Sequence, residues 1–137
     1  MEKMKVSEEV AFKEVTKWLD FKKVDEKKRG ENKDNIESLA HSISMGYLTL
    51  DKDMNFIQKL KFPIEADDKT VVASEFKYKP RLRMAEIDKK TTNIKATDPF
   101  ALIGAYISAL TETNTGVVKQ METEDYRVAQ SIAVFFL

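Results

Sequence analysis

The sequence predicts an α+β fold: a small antiparallel sheet, made of a hairpin plus a third strand, packed by three to four helices. Three observations predict it. Two alternating segments, Tyr47–Leu50 and Phe56–Phe62, flank a polar turn from Asp51 to Asn55, a length suited to a four- or five-residue hairpin loop. A third alternating segment, Thr70 to Lys79, follows the polar loop 65–69. Amphipathic segments with recognisable helix starts lie on both sides of these strands.

In chain order, Ser7 followed by Glu8 and Glu9 offers a hydroxyl for orphan N–H groups and negative charge for a first helical turn. Val10, Val15, Trp18 and Leu19 then fall near one face, giving an amphipathic helix over about 7–21, with Phe12 off the stripe and exposed. The next segment, KKVDEKKRGENKDN, is dense in charge and reads as a solvated linker. Residues 1–33 are thus expected as an N-terminal helix and charged linker, docked or mobile, and 34–137 as a single α+β domain. Asp34 and Glu37 resemble a capping box, Ile36, Leu39, Ala40 and Ile43 form a buried stripe, and Gly46 suits a left-handed C-terminal cap.

Within the second strand Phe56, Gln58, Leu60 and Phe62 share one face, and Pro63 is expected to end pairing or mark an edge. Pro80 breaks the third strand, and 81–90 makes a short helix with Leu82, Met84 and Ile87 as apolar contributors. Asp98-Pro99 is a cap with proline at the first helical position. Phe100, Ile103, Ile107 and Leu110 recur at helical spacing after it, and Leu102 and Tyr106 widen that face. Asn114-Thr115-Gly116 closes this helix, Val117 to Met121 forms a short turn, and Thr123-Glu124-Asp125 starts a last helix carrying Val128, Ala129, Ile132, Phe135 and Phe136.

The chain has 137 residues, with 23 basic and 23 acidic side chains that cancel. A protein this size buries roughly two-thirds of its unfolded surface, so a core needs no metal or disulfide. Neutrality in total hides local asymmetry: the basic-minus-acidic count is +1 for 1–34, −2 for 35–58, +4 for 59–95 and −3 for 96–137. The beginning of the chain lacks an apolar run and a small-residue cleavage site, and the longest apolar run is Ile132–Leu137 against the roughly 20 residues that cross a bilayer. The expectation is a cytoplasmic protein with no membrane role.

Catalytic chemistry finds no support in the residues. There is no Cys, which removes thiol catalysis and cysteine metal sites, and the one histidine, His41, sits alone in a helix. Asp51, Asp53 and Asn55 alternate like the opening of a calcium loop, yet Phe56 stands where that loop needs glycine. The glycines at 30, 46, 104 and 116 are too far apart to cradle a phosphate, and the pair Glu124/Asp125 sits where a helix cap wants negative charge. The expectation is a non-enzyme without cofactor or metal.

Two features suggest contact instead. Lys77, Lys79, Arg81 and Arg83 form a basic stretch that suits phosphates, an acidic partner or protection of a strand edge. Phe135, Phe136 and Leu137 are three large apolar side chains in a row that cannot all face one side of a helix, which suggests a partner-binding surface or a homo-oligomer, with Phe12 as a further contact.

From residue 59 onward the order of features resembles the phage tail assembly chaperone family of Mu-like and related tailed phages. The resemblance rests on Lys61-Phe62-Pro63-Ile64, the strand Phe76 to Arg83, Ile87-Asp88, Leu102-Ile103-Gly104-Ala105 with Ala109-Leu110-Thr111, and Asp125, Val128, Ile132, Phe136 and Leu137. It covers somewhat more than half the chain. Ile107-Ser108 lengthens the run before Leu110-Thr111, and the region before residue 59 has no counterpart in the family pattern. The resemblance implies a non-catalytic protein that coats the long helical tape-measure protein and keeps it soluble until tail-tube subunits replace it. It also implies a gene just upstream of the tape-measure gene, often with a frameshifted longer product. Two other readings stand beside it: a small nucleic-acid-binding regulator using the basic stretch, and a structural tail or connector component of a virion.

Overall fold

A computed structural model of the chain describes residues 4–92, 94–95 and 97–137. The described residues form an α+β fold with the order α1 (Glu8–Phe21), α2 (Glu26–Glu31), α3 (Lys33–Ser44), β1 (Leu48–Leu50), β2 (Phe56–Glu65), β3 (Val71–Tyr78), α4 (Met84–Thr91), α5 (Pro99–Thr111), α6 (Thr115–Val118) and α7 (Thr123–Ala133). The last helix tightens into a 3₁₀ turn over Val134–Phe136. None of the described helices is long and apolar enough to cross a membrane.

The α1 helix starts where its cap dictates: the Ser7 hydroxyl accepts the Val10 N–H at 3.2 Å. Its buried stripe is Ala11, Val15, Trp18 and Leu19. Val10, expected on that stripe, is exposed, because 11, 15, 18 and 19 follow the i, i+4, i+7, i+8 spacing and position 10 turns away from it. The helix is docked against α3, and its buried residues belong to the same cluster as those of the sheet and α7.

The charged segment after α1 departs from its expectation as a linker. Asp25 caps a short helix by accepting the Lys28 N–H at 2.9 Å, and Arg29 ties α2 back with Nε donating to the Val24 carbonyl and an ion pair to Asp20, both at 2.8 Å. Asn32 follows as the residue before α3, two positions ahead of the expected Asp34 start. Gly46 ends α3 with φ of 84°, the left-handed value that glycine adopts without strain.

The sheet is an antiparallel meander in the order β1-β2-β3. Asp51 organises the first turn: the Asn55 side-chain amide donates to it at 3.0 Å and, with the N–H groups of Asn55 at 2.8 Å and Asp53 at 2.9 Å, holds its carboxyl below the usual range. Phe56, Gln58, Leu60 and Ile64 face inward, but Phe62 is 52% exposed and β2 continues through Pro63 instead of ending there. The cause is a wide irregularity in pairing. Lys59 pairs with Glu75 and Ile64 with Ala73, so residues 60–63 of β2 stand opposite Ser74 alone. In that stretch the Lys61 and Phe62 N–H groups donate to the two carboxylate oxygens of Asp125, at 2.9 and 3.0 Å, so a proline beside them costs no ladder bond.

Asp125 is therefore buried for a purpose. It lies in the first turn of α7 and locks that helix onto the bulge. Next to it, the Gln58 amide donates to the Asp125 carbonyl at 2.9 Å and accepts the Tyr78 hydroxyl at 2.6 Å. Burial, with the Asp125 charge beside it, pushes the Tyr78 phenol well above its ordinary range.

Candidate functional site

The chain's apolar end lies almost entirely inside the fold. Phe135 is 3% exposed and meets the Trp18 indole edge-on, with ring centroids 5.7 Å apart. Phe136 packs on the same indole at 6.0 Å, and the Lys22 ammonium stands 3.5 Å from its ring centroid. Lys28 of α2 donates to the Leu137 and Phe135 carbonyls at 3.0 and 3.4 Å. Phe135, expected to contact a partner, is instead buried within the chain and offers no open surface. The three consecutive side chains are accommodated because the 3₁₀ turn rotates them apart and α1 supplies a wall that helix periodicity alone does not reveal. Phe136 is partly buried, and Leu137, 50% exposed, keeps an open apolar surface there. Phe12 lies apart from this cluster on the outer face of α1, 41% exposed.

Lys22 carries the electrostatic signature of this corner. Desolvation, with Lys28 and Arg81 nearby, brings its pKa down to about 8. Its ammonium donates to the Pro80 carbonyl at 3.1 Å.

The basic stretch is divided among separate tasks. Lys77 is exposed on β3, opposite Ile57. Lys79 lies between Glu86 and Glu112, 3.3 Å from each. Arg81 stacks over the Phe21 ring at 4.8 Å, and the Arg83 N–H donates to the Glu86 carboxylate at the start of α4. These cations are pointed at different neighbours, so they make no continuous phosphate-tracking stripe. His41 is exposed on α3. No group of three or more His, Cys, Asp or Glu among the described residues is placed to hold a metal.

The open site is elsewhere, between α4, α5, α6 and α7. The α5 helix begins where Asp98 accepts the Ala101 N–H at 3.1 Å, with Pro99 at its first position. Its end is closed by Glu112 in the left-handed region and by the Ser108 hydroxyl donating to the Thr113 carbonyl. One face, with Ala105, Ile107 and Leu110, is buried. The other leaves Ala101 and Gly104 as the floor of a cleft of about 670 Å³, a size that suits a bound group. Met121 and Tyr126 form one wall, and burial raises the Tyr126 phenol above its ordinary pKa. Phe100 stands at the mouth, 75% exposed. Lys89, Lys90 and Lys119 line the cleft.

This site was legible as an excess rather than as a motif. The segment Phe100–Leu110 carries apolar residues around more than one face, and a helix of that kind needs cover on more than one side. Packing by α7 covers only part of it, and Phe100, expected within the core stripe, is left at the surface. Comparison with protein-family models, with characterised proteins and with solved structures finds no match.

Proposed function

We propose that the protein is a non-catalytic phage tail assembly chaperone, which binds an amphipathic helical client and shields the tape-measure protein in the bacterial cytoplasm during tail morphogenesis. The observation that carries this reading is the α4–α7 cleft: an apolar channel with an exposed phenylalanine at its mouth, lying wholly within residues 59–137, the stretch that resembles the family. Shielding a long helix calls for exposed apolar surface, reversible contact and no reacting groups. Burying a side chain such as Phe100 against a client is worth roughly 1.5–3 kcal/mol, enough for reversible binding when a few such anchors act together. The client surface in this reading is the cleft, and the buried aromatic end supports it from behind.

Co-expression with a phage tape-measure protein tests the proposal. Affinity purification is expected to recover the two together and to keep the long product soluble. Recovery of the chain alone, with the long product insoluble whether or not the chain is present, contradicts it.

A further inference from the structure

We propose that the occupant of the α4–α7 cleft is a short stretch of amphipathic helix whose apolar ridge is flanked by acidic residues; this rests on the client-binding reading and adds the client's chemistry. Three observations converge. First, the cleft carries an unbalanced charge. Lys89, Lys90 and Lys119 line it, and none forms an ion pair with a described carboxylate. The carboxylate beside them, Asp98, is already engaged in capping α5. Lys79, a short way along the chain, shows the contrast, because two glutamates of the same chain hold it.

Second, the floor is lower than the fold requires. Gly104 lies in the middle of α5, where glycine disfavours the helix, and a Cβ built there meets nothing within 4 Å. Its backbone takes no left-handed φ. Neither conformation nor packing inside the chain asks for glycine at 104, whereas a helix laid across Ala101 and Gly104 approaches closest over residues without bulk. Third, Phe100 lines the cleft with its ring 75% exposed, an apolar side chain left free to cover the side of such a helix. A ridge in the floor with acidic flanks meeting the lysines satisfies all three.

Two fluorescein-labelled amphipathic peptides about 15 residues long, with an identical leucine and alanine ridge, separate this from other occupants. One is flanked by glutamates and the other by lysines. Anisotropy titrations are expected to give the glutamate peptide at least about tenfold tighter binding in 0.1 M salt, with most of the preference gone in 1 M salt, where the screening length falls to about 3 Å. The combined Lys89→Glu, Lys90→Glu, Lys119→Glu variant is expected to reverse the preference. Gly104→Leu, which fills the floor, is expected to weaken the glutamate peptide about tenfold or more while thermal unfolding stays cooperative. Equal affinity for the two peptides, binding of neither, or wild-type binding by Gly104→Leu overturns the inference. A tape-measure fragment that binds wild type and both variants equally also overturns it, and leaves the chaperone reading intact. A fragment that fails to bind while the glutamate peptide behaves as expected overturns the chaperone reading, and leaves the assignment of the cleft intact.

Discussion

The surroundings of Trp18 and those of Gly104 are built on opposite principles. Around Trp18 the fold is closed. Phe56, Phe135 and Phe136 surround the indole, α2 and its lysine bind the final carbonyls, and the Asp125 carboxylate fixes α7 to the bulged strand. Around Gly104 it is open: the helix floor is bare, a phenylalanine stands in solvent, and three lysines line the cleft with no ion pair to a described carboxylate. The difference teaches that apolar sequence alone does not locate a contact surface. The aromatic pair Phe135-Phe136 is absorbed by tertiary structure, while an apolar helix in the middle of the chain has more faces than neighbours.

Substitutions that unbuild the closed end have the largest expected effect. Trp18→Ala removes the centre of the aromatic cluster and is expected to destabilise the protein by about 3–5 kcal/mol, read by chemical denaturation. Asp125→Ala leaves two strand N–H groups without their acceptor and is expected to cost about 2–3 kcal/mol. A cost near zero for Asp125→Ala would mean that the bulge finds other partners and that the closed end is not locked by this carboxylate.

The open end is expected to respond the other way. Gly104→Ala has room for its methyl group and removes a mid-helix glycine, so it is expected to stabilise by about 0.5–1 kcal/mol in thermal or urea unfolding. Phe100→Ala is expected to change stability by less than about 0.5 kcal/mol while weakening client capture. If it destabilises as strongly as Trp18→Ala, the two ends are one core and the contrast fails.

A pH dependence is expected at the rim of the closed end. Lys22 has a folded pKa of about 8 against 10.5 for an ordinary lysine. Between these values the unfolded chain holds a proton that the folded chain has released, so stability rises as pH climbs from about 8 toward the ordinary lysine range. Urea unfolding at pH 7 to 9.5 is expected to show this rise, and Lys22→Met to flatten it. The raised phenol pKa values of Tyr78 and Tyr126 act in the opposite sense, and only at higher pH.

The α+β class, the hairpin, the third strand and the helix starts at Ser7 and Asp98 were legible because each rests on local chemistry: alternation, turn residues and caps. The α2 helix was hidden because no apolar stripe marks it. Its Asp25 cap and the Arg29 bond to the Val24 carbonyl are local, and Lys28 alone of the three reaches far along the chain, to the Leu137 carbonyl. Phe62 and Pro63 were misplaced for the same reason, since the bulge that accommodates them depends on a carboxylate more than sixty residues away. The site was the least legible part. Phe135 looked available because its wall comes from α1, and Phe100 looked buried because nothing local says how much of α5 the last helix leaves uncovered. Asp125 was recognisable as a helix-start carboxylate, but its strand partners were not.

Hydrogen exchange of the full chain, measured with and without a soluble tape-measure fragment, decides whether the α4–α7 cleft is the client surface. Slowed exchange is expected in the cleft, centred on Phe100 to Ala105 and the start of α7, with the outer face of α1 around Phe12 unchanged. Protection confined to α1 or to the aromatic end, with the cleft exchanging as it does in the free protein, would contradict it.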